Sequence, residues 1–376
     1  MRTFQTIIIL VGENPLPAYY GVLNFATSDA HVLLLHSEKT FSFADHIKSI
    51  IHRDNDELRL QRKPELLSPL KNPFDPQELS QVMSGLRNTY PDAALNYTGG
   101  TKVMSAVAYH FWQDRLDMAF YLEEGAGVFH FADGRKEQLV GFSLGIRDLC
   151  DLHGVEMAGG VSKIPLSWDD ILAIWKTYDG ERPLPSDKIN YGWLKENKQE
   201  WEKFLCVLTE PNQRIWREHP FPQSSHQYYK RNGFKDLHEL AATKWLERLA
   251  LYCASRAKPA ADAVPSQHFR INDTQFESDG MLVHDNRLYY FSAGTTKIDE
   301  YCKEKMFEAA YRSSQIGGGL ARSAVVCLAD RDRYNNDIIE TCRLTLNDPK
   351  HTIFGKPQIE AWMGGNLQTL AEFLER

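Results

Sequence analysis

A short glycine-rich stretch, residues 96–104, constrains the fold of this chain more than any other part of its sequence. It reads NYTGGTKVM, follows the apolar run 93–95, and opens a segment whose apolar residues recur at helical spacing. This order predicts a strand, a polar turn and a helix. Paired glycines let the backbone approach a ligand closely, and the N–H groups of a first helical turn attract anions. The stretch therefore predicts a phosphate site, and a plain strand-to-helix turn capped by Thr101 is the alternative.

Strands and helices alternate through residues 1–155. Buried strands are predicted at 7–11, 32–35 and 93–97, with helices between them. This alternation is typical of an α/β fold with a parallel, doubly wound (Rossmann-like) sheet, whose ligands lie at the carboxyl ends of the strands. Polar residues follow those ends: Gly12, Glu13 and Asn14; His36 and Ser37; and Asn96, Thr98, Gly99, Gly100, Thr101, Lys102 and Met104. Neither G-x-G-x-x-G nor a P-loop is present, so the predicted phosphate ligand is not held by a common nucleotide fingerprint.

The length and composition indicate a globular protein of two domains. A chain of 376 residues is longer than one ordinary core sustains, and its 43% hydrophobic and 25% charged residues are typical of globular proteins. The formal net charge of −7 argues against coating nucleic acid through overall charge. Six cysteines are dispersed without a C-x-x-C pair, which favours reduced thiols and a cytoplasmic location. The apolar run 6–11 is too short for a signal peptide or a membrane span.

Breaks in composition divide the chain into three parts. Residues 1–155 hold the alternating elements, residues 156–225 are predicted as a mostly helical connector, and residues 226–376 form a second α/β domain. Basic and aromatic residues gather between the last two parts: Arg214, Trp216, Arg217, Tyr228, Tyr229, Lys230, Arg231 and Lys235. Such a mixture suits single-stranded nucleic acid, so DNA or RNA is a candidate partner, with a solvated linker face as the alternative.

The second domain carries acidic residues on a predicted hairpin. Residues 237–252 have helical periodicity and include Glu247, strands are predicted at 275–283 and 288–293, and a helix at 304–316 precedes a strand at 324–328. Glu277 and Asp279 are two apart on the first hairpin strand, so both side chains point to one face of the sheet. Carboxylates placed in this way can hold a divalent cation, and ordinary surface charge is the alternative.

The NYTGGTKVM stretch closely resembles the T-G-G-T-K-x-M signature of CARF domains, the sensors of cyclic oligoadenylate in type III CRISPR defence. It is most similar to the branch that is fused to restriction-endonuclease-like domains. The turn 12–15 after the first strand lies where that family has its other ligand-binding loop. The resemblance implies a homodimer whose two glycine-rich turns face each other across a two-fold axis. A cyclic oligonucleotide of even ring size can share that axis.

The second domain is similar to the PD-(D/E)XK nuclease core in its order of helix, hairpin, helix and strand. The resemblance implies Mg²⁺ or Mn²⁺ bound by Asp279 and Glu277, with Glu247 as the helical acid of the site and no other cofactor. Active members carry Glu-x-Lys on the second hairpin strand, and here Ser292 and Gly294 stand at those positions. We therefore expect a restriction-endonuclease-like fold with a degenerate metal site.

Four functions are consistent with these expectations. The first is a cyclic-oligoadenylate sensor that controls a catalytically impaired nuclease-like domain. The second is an active metal-dependent DNA or RNA endonuclease, in which Lys297, three residues beyond Gly294, substitutes for the lost lysine. The third is a ring nuclease that degrades cyclic oligoadenylate, with Thr101, Lys102 and helix amides stabilising the reacting phosphate. The fourth is a regulator without a nucleotide ligand.

Overall fold

The computed structural model describes residues 2–52, 60–124, 126–140, 144–159, 166–181, 183–184, 191–217, 223–225, 227, 239–258, 262–271, 273–295, 299–328 and 350–375. Lys297 lies outside the described residues, as do five members of the basic and aromatic cluster: Tyr228, Tyr229, Lys230, Arg231 and Lys235. The chain divides into two compact units, Met1–Glu156 with Ser314–Leu320, and Met157–Ser313 with Ala321–Arg376. Within the described ranges, no helix is long and apolar enough to cross a membrane.

The first unit is built on a mixed sheet whose strand order, in the described residues, is β3-β2-β1-β4-β5-β6-β7. The strands are β1 (Phe4–Leu10), β2 (Ala26–Leu35), β3 (Glu65–Leu66), β4 (Ala94–Asn96), β5 (Ala119–Glu123), β6 (Val128–Phe131) and β7 (Lys136–Gln138). The helices are α1 (Leu16–Phe25), α2 (Phe41–His52), α3 (Pro76–Thr89), α4 (Lys102–His110) and α5 (Ile146–Leu152), with 3₁₀ turns at Glu38–Thr40 and Leu116–Met118. Strands β1 to β5 are parallel, and β6 and β7 are antiparallel. The predicted Rossmann-like sheet is confirmed.

The strand order places the ends of β1 and β4 side by side. β1 pairs with β2 on one side and with β4 on the other, so that Ile7 is opposite both Val32 and Ala94. Residues 7–10 are fully buried, as expected for a parallel strand that is covered on both faces. Because the chain runs outward from β1 to β3 and then crosses back to β4, the sheet has its switch point here. The loops after the two strands diverge at such a point and leave a crevice for a ligand.

The second unit is built on a sheet whose order, in the part of the chain described, is β13-β12-β11-β10-β9-β8. The strands are β8 (Glu156–Gly159), β9 (Asp262–Ile271), β10 (Thr274–His284), β11 (Arg287–Gly294), β12 (Arg322–Cys327) and β13 (His351–Phe354). The helices are α6 (Trp168–Tyr178), α7 (Tyr191–Glu196), α8 (Lys198–Val207), α9 (Glu210–Arg217), α10 (Trp245–Ala257), α11 (Asp299–Gly317), α12 (Lys356–Met363) and α13 (Gln368–Glu375). A π-helical turn, Leu240–Lys244, precedes α10, and a 3₁₀ turn, Gly318–Leu320, follows α11. The predicted hairpin is present as β10 and β11.

Strand β9 is an element that the sequence pattern does not predict. Pro265, Gln267 and His268 interrupt the alternation of apolar residues along it. Its antiparallel register with β10 pairs Gln267 with Ser278 and Pro265 with Gly280, so the residue between them, Ser266, lies opposite Asp279. This strand therefore brings a serine next to a predicted metal-binding acid.

Helices of the predicted connector share a core with the second sheet. Ile174 of α6 and Trp201 of α8 belong to the same buried cluster as Trp245 of α10 and Phe291 of β11. Burying aromatic side chains of this size contributes strongly to stability. These described helices lie in the same compact unit as the second sheet.

Candidate functional site

The loops after β1 and β4 meet through their glycine backbones. A Cβ atom on Gly99 would lie 2.1 Å from the carbonyl oxygen of Leu10 and 2.8 Å from the amide nitrogen of Gly12. A Cβ atom on Gly12 would lie 2.9 Å from the amide nitrogen of Gly100. These separations are too short for real side chains, so only glycine permits the approach. The two loops that the sequence predicts as halves of one ligand site are in direct contact.

Asn96 and Thr98 use their polar groups to fix the shape of the second loop. Asn96 is fully buried, and its side-chain amide donates to the carbonyl oxygen of Pro17 at 3.0 Å. Its Oδ1 accepts from the N–H of Thr98 at 3.1 Å and from the hydroxyl of Thr98 at 2.7 Å. The Thr98 hydroxyl in turn accepts from the N–H of Leu122 at 2.8 Å. Both predicted ligand residues therefore preorganise the turn through its hydrogen bonds.

Thr101 caps helix α4, and Met104 supports the turn from the core. The Thr101 hydroxyl accepts from the N–H of Met104 at 3.1 Å and donates to the carbonyl oxygen of Pro73 at 2.8 Å. This is the N-cap expected from the sequence. Gly100 has a φ of +78°, and a Cβ atom there would lie 3.0 Å from the Met104 sulfur. Met104 is 1% exposed, so its thioether packs beneath the turn instead of facing solvent.

Two residues that sequence reasoning missed complete the turn. Ser105 donates to the carbonyl oxygens of Tyr97 at 3.0 Å and Gly99 at 3.3 Å, and its position one turn into α4 was the available signal. The ring of Tyr97 contacts those of Tyr109 and Tyr121, with centroids 5.5 and 5.8 Å away. Burial, followed by the two neighbouring phenols, raises the pKa of Tyr97 to about 12. Its hydroxyl therefore stays protonated and can donate a hydrogen bond.

Lys102 supplies a positive charge at the start of α4. Its side chain is exposed, and no ion pair involves it in the part of the chain that the structure describes. The N–H groups of the first turn of this helix (Lys102–His110) carry the positive end of the helix dipole. A phosphate over Gly99 and Gly100 would meet backbone amides, the helix terminus and this ammonium group. The arrangement can therefore bind an anion through the protein alone.

The first loop carries a carboxamide that is paired with a carboxylate. Asn14 donates through Nδ2 to both carboxylate oxygens of Glu124, at 3.0 and 2.9 Å, while its Oδ1 accepts from the N–H of Leu16 at 3.1 Å. Glu13 is exposed and forms an ion pair with Lys39. Glu124, which the sequence analysis did not single out, thus places negative charge beside a predicted ligand residue.

A sequence-distant segment of the first unit contacts the same pair. Ser314–Leu320 belongs to this unit by its contacts. A Cβ atom on Gly318, whose φ is +61°, would lie 2.8 Å from Asn14 Oδ1, and one on Gly319 would lie 2.3 Å from Glu124 Oε2. The backbone of these glycines therefore packs directly on the Asn14–Glu124 pair. Local sequence patterns do not reveal this contact, because its partners are far apart in the sequence.

His36 and Ser37 lie at the end of β2, as predicted, but beneath the surface. His36 is 1% exposed, and its Nδ1 lies 3.0 Å from the carbonyl oxygen of Ser37. Its Nε2 is buried and lacks a hydrogen-bond partner among the described residues. The N–H of Ser37 donates to the hydroxyl of Thr40 at 3.0 Å, within the 3₁₀ turn. Ligand contact with either residue would require this loop to open.

Asp279 is the centre of a polar cluster in the second unit. Its Oδ2 accepts from the N–H of Ala293 at 2.7 Å and from the hydroxyl of Ser292 at 3.1 Å. The ammonium of Lys305, on α11, lies 3.3 Å from the same oxygen and 3.2 Å from the Ser292 hydroxyl. Burial lowers the pKa of Lys305, but the charge of Asp279, its hydrogen bond to Lys305, and the nearby Tyr301 and Glu247 together raise it more, so the net shift is upward. The sequence analysis expected a lysine on the hairpin strand and did not assign this lysine of α11 to the site.

Glu247 is brought close to this cluster from α10. It is 6% exposed and accepts a hydrogen bond from the Ser266 hydroxyl at 2.7 Å. Burial, and then the charge of Asp279, raises the pKa of Glu247 to about 8. Ser266 has a φ of +25°, which is unusual for a residue other than glycine. The predicted helical acid and the predicted strand acid therefore interact electrostatically.

The acids of this unit do not present a ready-made site for Mg²⁺ or Mn²⁺. Glu277 forms an ion pair with Lys244 at 3.1 Å. Asp279 Oδ2 already has three donors, and Ser292 stands where a second carboxylate would be needed. Over the described ranges, no group of three or more His, Cys, Asp and Glu side chains could hold a metal ion. The donor set therefore does not fit the metal that the nuclease resemblance implies.

Comparison with known proteins finds a family model that matches most of the first unit. Residues 6–145 match the family model described as the Card1 CARF domain. No curated protein matches the chain in sequence. Can2 from Sulfobacillus thermosulfidooxidans, solved in complex with cyclic tetra-adenylate, is 14% identical with a TM-score of 0.63 over 97% of this chain and 99% of that one. Protein VC1899 from Vibrio cholerae is 12% identical with a TM-score of 0.66 over 97% and 98% of the two chains.

A third similar structure is a type III CRISPR defence DNA nuclease activated by cyclic oligoadenylate. It is 17% identical with a TM-score of 0.50, and the match covers 86% of this chain and 45% of that one. At these identities the likeness shows the fold. The glycine loops at the β1–β4 switch point and the family match lead to the same conclusion. The N-terminal unit of this chain is a Rossmann-like CARF domain, and a second α/β domain follows it.

Proposed function

We propose that this protein is a cyclic-oligoadenylate sensor of type III CRISPR defence. The observation that carries the proposal is the backbone contact of Gly12 with Gly99 and Gly100, which builds one cradle from two loops at the switch point of the sheet. The CARF family match supports it. Two similar structures are described by their binding of, or activation by, cyclic oligoadenylates. The expected location is the cytoplasm.

The cradle would recognise the ligand chiefly through its phosphates. Amide N–H groups around Gly99 and Gly100, together with those at the N-terminus of α4, would donate hydrogen bonds to the phosphate oxygens. Lys102 would neutralise part of the phosphate charge, and its exposure leaves it able to reach a ligand. Thr98 and Ser105 keep the turn in shape before the ligand arrives, which reduces the entropic cost of binding.

The proposed assembly is a homodimer. A cyclic oligonucleotide with an even number of units has two-fold symmetry, so two copies of the glycine turn can bind it in equivalent ways. Each protomer would then contribute one Lys102 to the shared ring. A single protomer would supply only one of these two cations.

The second domain is proposed as a nuclease-like output module with impaired catalysis. Ser292 and Gly294 replace the acid and the lysine that the resemblance requires, and no three-residue metal group occurs in the described ranges. Ligand binding can change the state of this module only if the ligand binds two arrangements of the protein with different affinities. DNA, RNA or a protein would be the target of a module that binds without cutting.

Isothermal titration of the full-length protein with cyclic tetra-adenylate and cyclic hexa-adenylate tests the proposal. Binding should be saturable, and linear oligoadenylate of the same length should bind more weakly because it is not preorganised. Lys102→Ala should weaken binding by about tenfold or more, since a charge-assisted hydrogen bond is lost. Lys71→Ala, which removes another exposed lysine of the same unit, is the matched control.

The absence of heat with either ring would refute the sensor proposal. If the rings do bind, chromatography of the ring after incubation with excess protein shows whether the protein also cleaves it. An intact ring supports a sensor alone, and a linear product that depends on Lys102 would instead make this domain a ring nuclease.

A further inference from the structure

Lys305 occupies the region that the missing strand lysine leaves open. Gly294 stands at the lysine position of the hairpin, and a Cβ atom there would lie 3.5 Å from Cε and 3.7 Å from Cδ of Lys305. The side chain of Lys305 therefore runs through the space beside the strand from α11. Its ammonium ends between Asp279 and Ser292, at 3.3 and 3.2 Å. A helix thus delivers a cation to the site where the strand has none.

The surroundings of Lys305 hold this ammonium in place. Its side chain is 19% exposed, against 17% for the side chain of Asp279, so both partners are largely removed from water. The Tyr301 ring centroid lies 5.5 Å from Nζ, close enough for a cation–π contact. Removing either member of a buried ion pair leaves an uncompensated charge, which is costly. The Lys305–Asp279 ion pair is therefore a structural element of the folded domain and not a surface contact.

Charge balance explains why a cation is needed here. Asp279 and Glu247 interact electrostatically, and Ser266, Ser292 and the Ala293 amide add no net charge. Lys244 is engaged by Glu277 at 3.1 Å and by Glu239 at 3.6 Å. Lys305 is the cation whose ammonium contacts Asp279 within the described residues. Without it, the Asp279 carboxylate would need another positive partner.

We infer that the Lys305 ammonium is the resident cation of this site and replaces the divalent metal ion. Its contacts with Asp279 Oδ2 and the Ser292 hydroxyl use the atoms that a metal at this position would need. The domain then keeps its polar centre without metal chemistry. This inference concerns the second unit and stands whether or not the first unit binds cyclic oligoadenylate.

Mn²⁺ binding and thermal unfolding of the full-length protein test the inference. The variants are Lys305→Met, Asp279→Asn and the double variant, with Lys303→Met as a control from the same helix. The wild type should bind no Mn²⁺ that depends on Asp279, and its unfolding midpoint should be equal in Mn²⁺ and in EDTA. Lys305→Met should lower the midpoint by roughly 5 °C or more, because Asp279 loses its counter-ion. The double variant should recover much of that loss, and Lys303→Met should change little.

Lys305→Met should also bind Mn²⁺ that the double variant does not bind, since Asp279 becomes available to it. Wild-type Mn²⁺ binding that disappears in Asp279→Asn would overturn the inference, and this comparison remains valid if Lys305→Met fails to fold. The inference would also be overturned if Lys305→Met and Asp279→Asn lowered the unfolding midpoint equally and the double variant showed the sum of their effects. Charges that interact must give non-additive changes in stability.

Discussion

Asn14 donates hydrogen bonds to both carboxylate oxygens of Glu124, at 3.0 and 2.9 Å, inside the loop that is expected to meet a polyanionic ligand. The pair places a negative charge next to the proposed phosphate site, and it engages the side-chain amide of Asn14, which would otherwise be free to donate to a phosphate. The glycine backbone at 318 and 319 packs on this pair. Under the proposed function, binding of the ligand to Asn14 would therefore compete with the Asn14–Glu124 contact.

The first prediction is that Glu124→Gln tightens binding of cyclic oligoadenylate. Removing a carboxylate a few ångströms from a phosphate relieves a repulsion of about 1 kcal/mol, so the dissociation constant should fall about fivefold at low salt. The gain should shrink as ionic strength rises. Titration calorimetry at two salt concentrations measures both effects.

The neighbouring carboxylate provides the control for that experiment. Glu123 lies 2.7 Å from His130 Nε2, and Glu123→Gln should leave affinity nearly unchanged. Equal affinities of Glu124→Gln and the wild type at low salt would show that Asn14 is not a ligand contact.

The second prediction concerns the contact of the two glycine loops. In Gly99→Ala the new methyl group would meet the Leu10 carbonyl oxygen at 2.1 Å and the Gly12 nitrogen at 2.8 Å, both backbone atoms that cannot rotate away. The loops must separate, and overpacking of this kind costs about 1–3 kcal/mol. Affinity for the ring should fall at least about tenfold, with a lower unfolding midpoint.

Gly85→Ala is the matched control for Gly99→Ala. Gly85 lies within α3, and nothing stands within 4 Å of where its Cβ would be. Alanine is favoured over glycine inside a helix by about 0.5–1 kcal/mol, so this variant should be slightly more stable. If neither Gly99→Ala nor Gly85→Ala changed the affinity for the ring, the contact of the two glycine loops would not form the ligand site.

Much of the first unit follows from local patterns in the sequence. The strand, turn and helix of residues 94–110 were predictable because apolar spacing and paired glycines are local signals. The meeting of the 12–14 and 96–102 loops was predictable because parallel strands end at one edge of a sheet. The pairing of Asn14 with Glu124 was not, since no rule links residues whose strands are separated by another strand.

The second unit shows where such reasoning ends. Strand β9 escaped prediction because Pro265 and its polar neighbours break the alternation that marks a strand. The contact of Lys305 with Asp279 was not predicted, because the resemblance places the lysine of the site at position 294 of the hairpin. Which side chain of a packed helix reaches over a strand depends on tertiary packing, which sequence spacing alone does not give.

The third prediction is that Thr101→Ala weakens the first unit and its ligand site together. The substitution removes the N-cap hydrogen bond to Met104 and leaves the Pro73 carbonyl without its donor. Loss of a threonine cap costs about 1 kcal/mol, which corresponds to a midpoint lower by about 2–4 °C. Thr101→Ser keeps the hydroxyl and should retain most of the stability and affinity. If Thr101→Ser lowered the unfolding midpoint and the affinity as much as Thr101→Ala, the methyl group of Thr101, and not its capping hydroxyl, would be responsible.

The fourth prediction is a pH dependence that arises from Glu247. Its pKa is raised from 4.5 to about 8 by burial and then by the charge of Asp279. Between these values the folded protein keeps a proton that the unfolded chain has lost, so the free energy of unfolding falls as pH rises through this window. The slope from this group is at most about 1.4 kcal/mol per pH unit.

Glu247→Gln should remove that slope, because glutamine is neutral at every pH and can still accept from Ser266. Denaturant unfolding at several pH values between 5 and 8 should show the variant gaining stability relative to the wild type as pH increases. Glu277→Gln is the control, since Glu277 is exposed and pairs with Lys244. A constant difference between Glu247→Gln and the wild type across this range would mean that Glu247 is ionised in the folded protein, and that Lys305 neutralises two buried carboxylates instead of one.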